Sequence, residues 1–131
     1  MSVPFRVYIG WDSREPEAYD VARYSLLKRS SIPAEIVPIK IGDLRAQGLY
    51  SRDEDPLAST EFTYTRFLTP ALAGFQGWAL FCDCDFLWLG DIAGLTNYMQ
   101  TSKAVYCVQH DYKPKETVKM DGAVQTAYPR K

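Results

Sequence analysis

Asp83 and Asp85 stand one residue apart in Trp78-Ala-Leu-Phe-Cys-Asp-Cys-Asp-Phe-Leu-Trp88, a run otherwise built of apolar side chains and cysteine. A run of this composition reads as a buried strand. An ionised carboxylate inside it is costly unless a cation or strong donors meet it. Residues two apart on a strand share a face, so the spacing predicts Asp83 and Asp85 on one side and Cys82 and Cys84 packed on the other. Paired carboxylates are hard oxygen ligands of the kind Mn2+ or Mg2+ prefers. Such a cation neutralises charge that develops on phosphate oxygens. Two aspartates fill only part of an octahedral shell, so further ligands should complete it. Arg66 adds a planar fork suited to phosphate or carboxylate.

The elements around these residues follow from pattern. Phe5-Arg-Val-Tyr-Ile-Gly10 is rich in β-formers and reads as a first strand. Asp12 or Ser13 caps a helix that admits Pro16 in its first turn and carries Ala18, Val21, Ala22, Leu26 and Leu27, with Lys28 and Arg29 in the last turn. Pro33 stops it. Ala34 to Ile41 is a second strand in which Pro38 signals an edge or a bulge. Gly42 to Ser59 reads as a long polar loop, and Ser59 or Thr60 opens a short helix through Phe67 and Leu68 that Pro70 interrupts. Gly74 to Gly77 turns into the aspartate-bearing strand. Gly90-Asp-Ile starts a helix to about Met99 with Asp91 as its cap, and Lys103 to Gln109 is a last strand ending at His110-Asp111. The tail from Tyr112 to Lys131 is lysine-rich with little periodicity.

Strands alternating with helices predict an α/β fold with a mainly parallel, Rossmann-like sheet and helices on both faces. Ligands of such sheets bind beyond the carboxyl ends of the strands, where Asp12, Asp83, Asp85, His110 and Asp111 fall. With 131 residues, 47% of them hydrophobic, the chain has enough apolar material for one domain with a real core. Its net charge of −1 provides no global field for nucleic acid or an anionic membrane. No apolar run approaches the roughly 20 residues of a membrane span, and the N-terminus lacks the form of a signal peptide. Three cysteines, an odd number, argue against a disulfide framework, so the expected location is cytoplasmic.

Phe62-Thr-Tyr-Thr-Arg66-Phe-Leu-Thr-Pro70-Ala-Leu, followed by Ala79-Leu-Phe-Cys-Asp-Cys-Asp-Phe-Leu-Trp-Leu-Gly-Asp-Ile92, resembles glycosyltransferase family 8 and its relatives. Those proteins show a Tyr-x-Arg helix with a following proline, then an apolar strand running into Asp-x-Asp, then Gly-Asp-Leu or similar. Tyr8-Ile-Gly-Trp-Asp12 and Ala22-Arg-Tyr-Ser-Leu-Leu-Lys-Arg-Ser30 are similar to the family's first strand and helix, so the resemblance covers residues 5–111. Asp-x-Asp alone is a weak motif; its setting makes it specific. The resemblance implies a GT-A fold and sugar transfer from a nucleotide-diphosphate donor, commonly UDP-linked, with Mn2+ or Mg2+. By position, Asp83 touches the donor's ribose or sugar and shares the metal, while Asp85 is a direct metal ligand. Arg66 lies near the donor sugar or phosphates. The turn from Ile9 through Trp11 to Asp12 cradles the nucleoside with Asp12 near the base, and Cys84 is counted among the donor contacts. The family retains anomeric configuration, and no nucleophile is assigned.

One departure bears on function. The family's second half carries the acceptor site and usually a C-terminal histidine as third metal ligand. This chain stops at Lys131, where that half would start, and His110 follows a different strand. The expectation is a single nucleotide-sugar-binding α/β domain over residues 1–131, a fragment or shortened form of a longer GT-A domain. Its acceptor is unknown, and its exposed apolar surface leaves room for a homo-oligomer.

Plainer readings stand beside each of these. The two aspartates could be hydrated at a strand end, Arg66 could pair with a nearby carboxylate, and Asp12 could be only an N-cap. His110-Asp111 could be a polar turn, and the tail lysines a solvated loop. Trp11, Trp78 and Trp88 suit the core. Cys82, Cys84, Cys107 and His110 formally make a zinc set, but mid-strand cysteines usually act as small hydrophobes. Competing functions are a non-catalytic nucleotide-sugar or protein binding module and, ranked lower, a Mg-dependent haloacid-dehalogenase-like phosphatase.

Overall fold

A computed structural model of the chain describes residues 3–111, which fall in two units divided between Met99 and Gln100. All the regular elements lie in the first. Three parallel strands, β1 (Phe5–Gly10), β2 (Ala34–Ile39) and β3 (Ala79–Cys82), form a sheet in the order β2-β1-β3. The chain is thus α/β with a parallel sheet. Val7, Tyr8, Ile9 and Gly10 of the central strand are all buried, the signature of a strand covered on both faces. Pro38 sits on the edge strand, as expected. The Trp11 amide donates to the Ile39 carbonyl at 3.0 Å, so the neighbouring Pro38 turns its missing donor outward.

Helix α1 (Pro16–Arg29) follows β1 and packs on β1 and β2 through Ala22, Ser25 and Leu26. Burying Leu26 completely contributes roughly 2 kcal/mol. Pro16 occupies its first turn and Lys28 and Arg29 its last, but the cap differs from expectation: Glu15 stands at N-cap and its side chain makes no capping bond. Asp12 and Ser13 are drawn off into contacts described below. Val21 and Leu27, although helically spaced, stay outside the core at 52% and 38% exposure.

Three other expectations need correction. The polar loop from Gly42 contains helix α2 (Ile41–Ala46), which takes Ile41 from the second strand. Its Leu44 is buried, so tertiary burial sustains a helix too short to form alone. The helix expected from Ser59 to Leu68 is a series of turns and then a 3-10 segment, Thr65–Leu68. The Thr63 hydroxyl accepts the Thr60 amide at 3.1 Å, a local bond that competes with helix. Pro70 interrupts nothing; it stands in the opening turn of α3 (Thr69–Leu72). Finally, residues 103–109 form no strand: Val105 and Val108 are 72% and 76% exposed, and a strand needs a ladder partner.

The expected turn before β3 is present, with positive φ at Gly74, Phe75 and Gly77. Arg6 holds it by donating to the carbonyls of Ala73 (2.6 Å) and Gln76. The segment from Gly90 to Met99 is also helical, but as a 3-10 helix, Ile92–Tyr98. Asp91 caps it by accepting the Ala93 amide at 2.9 Å. The tail from Tyr112 onward lies outside the described residues.

Candidate functional site

β1 and β3 are neighbours, with Ile9 opposite Cys82. The chain therefore leaves both strands side by side, and Gly10–Asp12 emerges next to Asp83–Asp85. This is the carboxyl edge of the sheet, where ligands of parallel sheets collect.

The strand expected to run through both aspartates ends at Cys82; Asp83 follows it, and Cys84 and Asp85 form a turn. Burial still alternates, with Cys82 and Cys84 only 4% and 3% exposed. The aspartates nonetheless have different surroundings. Asp83 Oδ1 accepts from Arg66 Nη1 at 3.2 Å, both side chains being partly exposed. Asp85 is exposed and lines an open groove of about 440 Å3 beside Glu15 and Glu17 of the α1 entry. Past the strand end no ladder enforces the alternation, and the two aspartates meet different neighbours.

Arg66 is held on three sides. Its Nε donates to the Phe62 carbonyl at 3.2 Å, and its guanidinium lies 5.4 Å from the Phe62 ring centroid and 5.3 Å from that of Phe81. The aromatic pair, 6.2 Å apart, orients the fork toward Asp83. The carboxylate pairing weighed for Arg66 is thus present.

Asp12 is nearly sealed from solvent at 2% exposure. Its Oδ1 accepts from the Arg14 amide and Nε, both at 3.0 Å, and its Oδ2 from Arg14 Nη2 at 2.8 Å and the Glu61 amide at 3.1 Å. Burial raises the Asp12 pKa, but these donors more than offset it, leaving the carboxyl below its usual range. Glu61 answers in kind, its carboxylate accepting from the Ser13 hydroxyl and, at 2.9 Å, from the Ser13 amide. This reciprocal clamp ties the loop after β1 to the segment leading into Arg66. Asp12 is therefore neither a helix cap nor a solvent-facing group.

Of the other expected site residues, Ile9 is wholly buried in the central strand, opposite Pro38 and Cys82. Trp11 is half-buried, with Lys40 Nζ 4.6 Å above its ring. Cys84 belongs to the core, its Sγ 3.8 Å from Glu15 Oε2. Burial pushes the thiols of Cys82 and Cys84 up to about 12. With both cysteines packed into the core, the side-chain donors left at this edge are carboxylate oxygens, the kind a hard cation prefers. Among the described residues no three His, Cys, Asp or Glu side chains converge on one point. A hard cation here would draw at most two carboxylates from the protein and would need its remaining ligands from water or a bound molecule. His110 and Asp111 lie in an exposed segment of the second unit without regular structure.

Sequence reasoning missed Glu61, Glu15, Phe62 and Phe81. Phe62 carries a signal, standing four residues before Arg66. Glu61 carries none, because its partner Ser13 lies 48 positions away.

Tyr64, of the Tyr-x-Arg triplet, donates its hydroxyl to Asp55, and the Arg52 guanidinium covers its ring at 4.0 Å. That bond lowers the Asp55 pKa and raises that of Tyr64. The polar stretch before Ser59 is thereby fastened next to the arginine.

Protein CDI of Arabidopsis thaliana is similar to this chain, 60% identical over 128 residues, which is 98% of this chain and 49% of that protein. The chain spans about half the length of the curated relative it matches. No protein-family model matches it. No solved structure matches it either. Among the described residues no helix is long and apolar enough to cross a membrane.

Proposed function

We propose that this chain is the donor-binding part of a nucleotide-sugar-dependent glycosyltransferase of GT-A type, using a UDP-linked sugar with Mn2+ or Mg2+. The observation that carries the reading is the pairing of Arg66 with Asp83 at the carboxyl end of β3, beside the loop that leaves β1. It brings a guanidinium, a carboxylate and the loop after β1 together on one edge of a parallel sheet, which supports that reading.

Asp83 and Asp85 hold the cation, which when bound neutralises the leaving diphosphate. Arg66 presents its fork to the phosphates or the donor sugar. The backbone from Ile9 to Asp12 cradles the nucleoside, with the Trp11 indole as one wall. The Asp12–Arg14–Glu61 clamp fixes that loop before any ligand arrives, so less ordering is required on binding.

Titration calorimetry with UDP, GDP and their sugars, with and without Mn2+, tests this. Mn2+-dependent nucleotide binding and turnover of a nucleotide sugar are expected. Binding without turnover selects a non-catalytic module instead. Hydrolysis of a phosphate monoester selects a phosphatase, and no nucleotide binding overturns the proposal.

A further inference from the structure

The Arg66–Asp83 bond occupies the carboxylate that the proposed site assigns to the cation. We infer that Arg66 and a divalent cation compete for Asp83, so that metal binding hands the guanidinium over to the donor's diphosphate. This exchange rests on the metal and diphosphate reading above and adds to it a built-in order of events.

Three features of the pair carry it. The side chains are 30% and 38% exposed, so the bond can open without unfolding anything. The guanidinium has anchors that do not involve Asp83: the Nε bond to the Phe62 carbonyl and the two aromatic faces. When Asp83 turns to a cation, Arg66 therefore stays in place with its Nη donors still aimed at the same edge. Charge then sets the sequence. A divalent cation beside a guanidinium that has lost its carboxylate is repelled, and a bound diphosphate relieves the repulsion. Metal alone should bind poorly, and metal with nucleotide cooperatively. By linkage, each should raise the other's affinity by the same factor.

Arg66→Met keeps the aliphatic stem over Phe62 and Phe81 and removes the charge and the fork. In the full 131-residue chain, calorimetry measures Mn2+ alone and then UDP at saturating Mn2+. The expected effects have opposite signs. Arg66→Met binds Mn2+ alone roughly two- to fivefold more tightly, the scale of a half-exposed ion pair. It binds UDP with Mn2+ roughly tenfold or more weakly, the scale of a lost charged hydrogen bond. A merely structural arginine would weaken both, and that result overturns the exchange.

Equal Mn2+ affinity in both proteins, with Mn2+-dependent UDP binding intact in the unsubstituted chain, overturns the exchange and leaves the site standing. Absence of Mn2+-dependent UDP binding from the unsubstituted chain overturns the site and the exchange together. Should the variant fail to fold, the Nε NMR signal of Arg66 in the unsubstituted chain decides. A shift on Mg2+ addition supports the exchange, and an unmoved signal at saturating Mg2+ overturns it.

Discussion

The ring of Phe62 lies flat against the α-carbon of Gly10: a β-carbon built there would sit 2.5 Å from two of its ring carbons. No side chain other than hydrogen fits while Phe62 keeps its place. The contact joins the end of β1 to the residue whose carbonyl anchors Arg66. Gly10→Ala should cost about 1–3 kcal/mol by overpacking. Phe62→Leu, a smaller side chain in the same cavity, should cost less in the Gly10→Ala background than alone, because neighbours are not additive. Urea unfolding of the two single variants and the double variant measures this, and additive losses would show that the contact is not felt.

Asp12 should make stability depend on acid. Its folded pKa lies below the ordinary 3.8, so its contribution is present in full above the unfolded value and is lost as pH falls through the folded one. The groups bonded to it are Arg14 and the Glu61 amide. Asp12→Asn should therefore destabilise by about 2 kcal/mol at pH 7. The gap to the unsubstituted protein should narrow below about pH 4. Urea midpoints at pH 7 and pH 3 test the sign, and a gap that widens in acid would refute it.

The three thiols should separate by access. Cys82 and Cys84 are buried, while Cys107 is exposed. An aromatic disulfide reagent should titrate one thiol quickly in the native chain and all three in guanidinium chloride. Two or more fast native thiols would mean that the sheet edge opens readily.

Asp85 is exposed, so Asp85→Ala should leave stability within about 0.5 kcal/mol. It should also lower Mn2+-dependent UDP affinity roughly tenfold or more, as loss of a direct ligand does to a metal site with few protein donors. Calorimetry reads both proteins under the same salt and metal, and an unchanged affinity would remove Asp85 from the site.

Local pattern settled a good deal. The β-rich hexapeptide Phe5–Gly10, the helix opening with Pro16, the edge position of Pro38, the Gly74–Gly77 turn and the Asp91 cap were all legible, because each depends on backbone preferences within a few residues. The parallel arrangement followed from their alternation. Helix α2 was not legible: Gly42 and Asp43 are poor helix formers, and only the burial of Leu44 holds the turn.

For the candidate site the division is sharper. Residue types and spacing alone singled out Asp83 and Asp85 and set them, with Asp12, at strand ends, since carboxylates in an apolar run need a partner wherever the chain goes, while Arg66 and the Ile9–Asp12 turn entered through the family resemblance. Only the tertiary structure decided what each one meets. It gave Asp83 to Arg66, enclosed Asp12 between Arg14 and Glu61, and turned Asp85 out toward the α1 groove. Those outcomes depend on residues 17 and 49 positions apart, and on the Cys84–Glu15 contact across 69, meeting at one edge of the sheet. Chain distance carries no trace of such meetings; packing does.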